Sequence, residues 1–215
     1  MGKDKLRKFT EIGTFANVRQ MEEGKALKGN WAASMFSNDH PVVLDLACGK
    51  GEYSVNMAKH FPTKNFIGVD FKGNRIWRGA KTALEEGITN VAFLRIQIED
   101  ILEFFEAGEV SEIWITFPDP QPQKSRIKKR LTHPAFLQKY RQILNDEGIM
   151  HLKTDSDGLF EYTMETLAEG DLTVLASTDD LYHSEWLDEV LSIKTYYEQK
   201  YLAVGKNINY VRWSF

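Results

Sequence analysis

"PVVLDLACGKGEYSVNMAKHF", residues 41–61, sets the terms on which the rest of the chain is read. Val42 to Ala47 is a short β-branched run of the kind buried in a parallel strand. Tyr53, Val55, Met57, Ala58 and Phe61 follow at spacings that suit a helix. Gly49 and Gly51 lie between the two and let the backbone turn sharply and pass close to a ligand. Strand, glycine turn and helix together open an α/β unit.

The alternation continues outward. "NFIGVD" (65–70) reads as a second strand and "NRIWRGAKTALEEG" (74–87) as a second helix ended by Gly87. "VAFLRI", "SEIWITF" and "GIMHLK" read as further strands, with helices over 99–107, 134–144 and 157–168 between them. Pro134 suits a first helical position, where its missing N–H costs nothing. This order predicts a parallel sheet with helices on both faces. After Gly170 the pattern changes: "LTVLAS" and "NYVRWSF" read as two strands separated by a long aromatic-rich excursion. Residues 1–40 carry a basic start (Lys3, Lys5, Arg7, Lys8) and a helical stretch around 17–36, read as an extension of the same domain, with 41–215 as its core.

Composition is consistent with one soluble domain. The 215 residues are 42% hydrophobic and 27% charged, and their net charge of −4 argues against a surface that coats nucleic acid throughout. A single cysteine, Cys48, excludes a disulfide framework and a cysteine-based zinc site, and suits a reducing cytoplasm. The N-terminus lacks a signal-peptide pattern, and no stretch approaches the ~20 apolar residues of a membrane span. His133, His151 and His183 have no spacing that suggests a metal.

The glycine turn admits three ligand classes. A P-loop needs Gly-Lys-Ser/Thr, which Gly49-Lys50-Gly51 does not supply. A dinucleotide fingerprint would set Glu52 against a pyrophosphate. The spacing of Asp45, Ala47, Gly49 and Gly51 fits S-adenosylmethionine (SAM), whose sulfonium and ammonium make nearby carboxylates favourable. Asp70, about 20 residues past the glycines, stands where an acid accepts hydrogen bonds from ribose hydroxyls. Gln97 or Glu99, after the third strand, is placed for the adenine edge. Cys48 reads as a small packed residue.

"ITFPDPQPQKSRIKKRL" (115–131) raises a second question. Pro118 and Pro120 fix their own φ angles, and Pro120 holds Asp119 in extended backbone, so the carboxylate is aimed. Lys124, Arg126, Lys128, Lys129 and Arg130 follow with no acid among them. Phosphate is the natural partner, and looped or single-stranded RNA fits better than duplex DNA. The basic N-terminus offers a further contact.

These segments resemble the bacterial tRNA (guanine-N7-)-methyltransferases over nearly the whole chain. "KLRKFTEIGTFANV", "LDLACGKG", "NFIGVD", "FPDPQPQKSRIKKRL", "HLKTDSDGLFEY" and "TYYEQKY" are each similar to a family segment. The resemblance implies a Rossmann-like class I fold: a mostly parallel seven-stranded sheet with an antiparallel C-terminal strand. It implies SAM as cofactor, tRNA as partner, and neither metal nor membrane. It assigns Asp45, Asp70, Gln97 and Asp119 to the cofactor pocket, with Asp119 also facing the guanine. Asp155, Thr195, Tyr196, Tyr197 and Glu198 fall to substrate binding. Two positions depart from the pattern: Gln121 replaces the family tryptophan, and Gln123 the substrate lysine, with Lys124 beside it. Other readings of the same residues are an adenine or protein-amide methyltransferase and a non-catalytic SAM-binding RNA adaptor. Asp155 doubles as a candidate helix cap, and "TYYEQKY" as an amphipathic helix over a sheet edge.

Overall fold

Burial on both sheet faces explains why the strands read as unbroken apolar runs. The computed structural model describes residues 3–215. Its strands are β1 (Val18–Gln20), β2 (Val42–Leu46), β3 (Asn65–Val69), β4 (Val91–Arg95), β5 (Val110–Thr116), β6 (Leu144–Thr154), β7 (Thr173–Thr178) and β8 (Asn209–Ser214). They form one sheet in the order β1-β4-β3-β2-β5-β6-β8-β7. Every pairing from β1 to β6 is parallel, and β8 runs antiparallel to both of its neighbours. All five residues of β2 and of β3 are buried.

The helices are α1 (Lys3–Glu11), α2 (Met21–Lys25), α3 (Trp31–Phe36), α4 (Glu52–His60), α5 (Gly73–Glu85), α6 (Pro134–Ile143), α7 (Asp157–Glu169) and α8 (Tyr196–Ala203). Side-chain alternation splits the core in two. Leu44, Leu46, Ile113 and Ile115 join Trp31 and the apolar faces of α6 and α7. Val43 and Trp114 join Tyr53, Val55 and Met57 of α4, Ile76 and Ala80 of α5, and Leu181, Leu191 and Ile193 of the excursion before β8. The excursion thus takes a helix layer's place on that face.

Three expectations change. The sheet has eight strands rather than seven, because Val18–Gln20 pairs in parallel with β4. The stretch 17–36 is therefore not one helix: a strand and two short helices occupy it, and Asn30, at φ −142°, precedes Trp31 at the start of α3. The helix placed over 99–107 is a 3-10 turn, Ile98–Glu103. The other helices of the alternating region hold to within two residues, with Pro134 in the first turn of α6 behind the capping His133 side chain.

Candidate active site

The topology switches direction at β2: β3 and β4 lie to one side, β5 and β6 to the other. In open α/β sheets that crevice, at the carboxyl ends of the strands, is where ligands sit. Asp45 lies near the end of β2 and the glycine turn follows that strand, while Asp70 follows β3, Gln97 follows β4 and Asp119 follows β5. The fold therefore brings to one end of the sheet four residues spread from position 45 to position 119.

Asp45 shares its face with Val43, which directs it under α4. Only 1% exposed, it accepts a hydrogen bond from Ser54 Oγ at 2.6 Å and another from Thr116 Oγ1 at 3.3 Å. Burial pushes its carboxyl up to about 7, against the pull of those hydroxyls. Asp70 accepts from Gly49 N at 3.1 Å and from Lys72 N at 2.8 Å, so it braces the turn from the side. Burial raises its pKa too, while backbone donors and Arg75 oppose the rise. Among the described residues none of Asp45, Asp70 and Asp119 forms a salt bridge.

The turn itself lies in left-handed backbone, with Ala47 and Gly49 at φ 58° and Gly51 at φ 70°. A Cβ on Gly49 would meet only Ala47 O, at 3.9 Å, so its outer side is open. A Cβ on Gly51 would strike the Phe93 ring at 2.4 Å, so this second glycine serves packing. Gly79 of α5 lets the helix approach the turn: its Cβ would fall 2.6 Å from Lys50 O. Cys48 is buried, and burial drives its thiol pKa well up, which leaves it a packed, unreactive residue.

Asp119 is exposed and its Oδ1 accepts from Gln121 N at 3.1 Å, a local turn that fixes the carboxylate's root. Phe117 and Gln121, on either side of the Pro-Asp-Pro unit, have φ of 49° and 44°. Non-glycine residues rarely adopt this backbone, and such strain collects at functional sites. The Gln121 carbonyl accepts from Arg130 Nε at 3.4 Å and Nη2 at 3.3 Å, and Arg130 stacks 4.4 Å from the Tyr162 ring centroid. The last cation of the basic cluster therefore folds back to fasten the turn. Gln123, Lys124, Arg126, Lys128 and Lys129 remain exposed on or beside a 3-10 turn, Lys124–Lys129. The N-terminal cations are less free than their sequence suggests. Arg7 pairs with Asp4 and Glu11, Lys8 pairs with Asp4, and both pack over Trp77.

Asp155 is not the cap of α7; Ser156 is, accepting from Leu159 N at 3.3 Å. Asp155 is half-buried, with its pKa raised by burial. Thr195 caps α8 in a capping box with Glu198, and Tyr196 and Tyr197 stand exposed on its first turn. Glu198 differs from its expected substrate contact. It is 0% exposed, 2.7 Å from the equally buried Lys153 Nζ, and accepts from Tyr182 OH at 2.6 Å. Lys153 Nζ also donates to Leu191 O at 2.6 Å and Ile193 O at 3.0 Å. This pair holds the excursion and α8 onto β6. Sequence reading missed Lys153, Ser54 and Thr116; a lysine two residues past His151 in the run Ile149–Lys153 was the available signal for the first.

Gln97 is exposed directly after β4, and Glu99 is exposed one turn further on. No group of three or more His, Cys, Asp or Glu that could hold a metal occurs among the described residues, and no described helix is long and apolar enough to cross a membrane.

A mostly parallel sheet with its switch point at β2, the buried acids Asp45 and Asp70 and an open glycine turn belong to the Rossmann-like methyltransferase fold. Solved structures agree on the fold: a 16S rRNA methyltransferase, KamB, superposes with a TM-score of 0.63 at 16% identity, covering 83% of this chain and 89% of that one. A geranyl diphosphate methyltransferase gives 0.54 at 14% identity, covering 86% and 75%. The profile of a family described as "Putative methyltransferase" matches residues 39–211. Proteins named tRNA (guanine-N(7)-)-methyltransferase are similar along the whole chain. That of Bacteroides thetaiotaomicron is 49% identical over 99% of this chain and 86% of its own. That of Christiangramia forsetii is 52% identical over 98% and 97%. The chain belongs to the tRNA (guanine-N(7)-)-methyltransferase family.

Proposed function

We propose that this protein transfers a methyl group from SAM to N7 of a guanine in tRNA, in the variable loop, through one domain spanning 1–215. Family membership supports the donor, the acceptor atom and the tRNA. The observation that carries the reading at the site is the placement of Asp45, Asp70 and Asp119 toward the carboxyl ends of β2, β3 and β5, with none of the three in a salt bridge among the described residues.

The donor set fits SAM. The outer side of Gly49 is open, and the carboxylates match a ligand with a sulfonium and an ammonium. Asp70 and Gly49 would hold the ribose, Gln97 would meet the adenine, and Asp45 would place negative charge beneath the turn. Bound SAM supplies an electrophilic methyl group. Guanine N7 is an unprotonated lone pair at neutral pH, so the chain needs no general base and contributes alignment. Asp119, stiffened by its prolines and its contact with Gln121 N, accepts from the N–H donors of the guanine edge. Lys124, Lys128 and Lys129 meet phosphates, with Gln123 beside them. Asp155, Thr195, Tyr196 and Tyr197 form the opposite wall, and Glu198 fixes the last three from below.

The test is transfer of labelled methyl from SAM to bulk tRNA, followed by nucleoside analysis. Label in 7-methylguanosine is the expected result, lost when the variable-loop guanine of a transcript is replaced. Label in methyladenosine or in protein, or none at all, refutes the reading.

A further inference from the structure

We propose that Glu52 is a positioning residue that ties the methyl-donor turn to α8, so that donor and tRNA each strengthen binding of the other. The inference rests on the function proposed above. Glu52 follows Gly51 directly, and its Oε2 accepts from Tyr196 N at 2.9 Å across 144 residues of sequence. Tyr196 is the first residue of α8, so its N–H has no partner within the helix and Glu52 supplies one. Lys50, on the other side of Gly51, sets its ammonium 4.7 Å from the Tyr196 ring centroid. Two residues of the turn therefore grip one residue of α8. Among the described residues the Glu52 side chain has no other hydrogen bond and no salt bridge.

On the buried side of its first turn α8 is held by the Lys153–Glu198 pair and by the capping box. The exposed side of that turn, Tyr196 and Tyr197, is the part left to the donor turn to hold. That turn has three residues in left-handed backbone, a conformation that a ligand seated on it stabilises. A ligand that fixes the turn fixes Lys50 and Glu52, and through them the exposed Tyr196 and Tyr197. Linkage is reciprocal: tRNA held by α8 must then favour donor binding by the same factor.

The experiment measures the Kd of tRNA for the full chain with and without saturating S-adenosylhomocysteine, which cannot react. The wild type should bind tRNA about five-fold or more tightly when the thioether is present. Glu52→Ala should bring that ratio close to one. Glu52→Gln, which keeps an oxygen acceptor for Tyr196 N, should retain it. A ratio in Glu52→Ala equal to wild type overturns the proposal, since it means that Glu52 acts on one ligand only. Loss of the ratio in Glu52→Gln to the same extent as in Glu52→Ala also overturns it, because charge rather than the hydrogen bond is then responsible. Wild-type protein that methylates tRNA with a ratio of one refutes the coupling alone; wild-type protein that neither binds nor methylates tRNA refutes the functional reading as well.

Discussion

Replacing Glu198 with alanine strands the Lys153 ammonium in the interior. Both side chains are 0% exposed and 2.7 Å apart, so the lysine loses its counter-charge and keeps the carbonyls of Leu191 and Ile193 and the faces of the Tyr53 and Tyr182 rings. Breaking a buried pair from one side costs about 3–5 kcal/mol, and the two remaining acceptors place this case at about 3. For a chain of this length each kcal/mol moves Tm by about 2–4 °C, so a fall of about 6–12 °C is expected. The pH dependence has a definite sign. Burial holds Lys153 below the ordinary lysine range, while Glu198 opposes that shift. Removing Glu198 lowers the folded-state pKa further. Between that value and the unfolded one, the unfolded chain carries more protons, so stability rises with pH. The deficit of Glu198→Ala should therefore shrink as pH is raised from 6 to 9. Lys153→Met combined with Glu198→Gln removes both charges, keeps an oxygen to accept from Thr195 N while the amide N–H donates to the Tyr182 hydroxyl, and should recover more than half of the loss. Thermal unfolding followed by circular dichroism reads all three. A fall below about 2 °C, or a deficit that grows with pH, would refute the reasoning.

Asp119→Asn keeps the acceptor for Gln121 N, so Tm should hold while kcat falls on the order of 100-fold; near-normal turnover counts against Asp119 as the guanine anchor. Lys128→Gln with Lys129→Gln should flatten the salt dependence of tRNA binding by about 0.7–0.9 per charge in the log–log slope, whereas Arg130→Gln should also lower Tm, because Arg130 braces Gln121 O. With Asp45 pushed up to about 7, SAM affinity measured by calorimetry should rise from pH 6 to pH 8 and level off above, since the cationic donor selects the ionised acid. The same raised pKa makes the Asp45 contribution to folding stability largest at acid pH and smaller as pH climbs through 7. Gly79→Ala gains about 1 kcal/mol of helix propensity but drives a Cβ to 2.6 Å from Lys50 O, so SAM binding should weaken and Tm should fall; a stabilised variant with normal SAM affinity would show that the turn gives way.

Local chemistry made much of this legible in advance. The run from Val42 to Ala47, the glycines after it and the acid at Asp70 identify a nucleoside-binding α/β unit because strand, turn and helix preferences act over a few residues. Pro118 and Pro120 likewise announce a stiff acid, since proline acts on its own φ and on its neighbour. The strand at Val18–Gln20 was hidden, because three residues carry almost no periodicity and their partner, β4, lies over 70 positions away. The cap of α7 was placed one residue early, at Asp155 rather than Ser156, because "TDSDG" offers several capping side chains in a row.

Charge was where sequence alone misled. Arg7, Lys8 and Arg130 looked like free cations, and Glu198 like a ligand for RNA. Each is committed to a partner brought near only by folding: Trp77 beneath Arg7 and Lys8, Tyr162 and Gln121 O around Arg130, Lys153 against Glu198. The amino-acid sequence by itself determined the strand–helix alternation from β2 onward, the glycine turn and the acids toward the strand ends, since these follow from short-range backbone and side-chain preferences. Which of the charges face a ligand and which face one another was decided only by tertiary structure, because a charge takes its energy from whatever surrounds it, and the chain order does not record those surroundings.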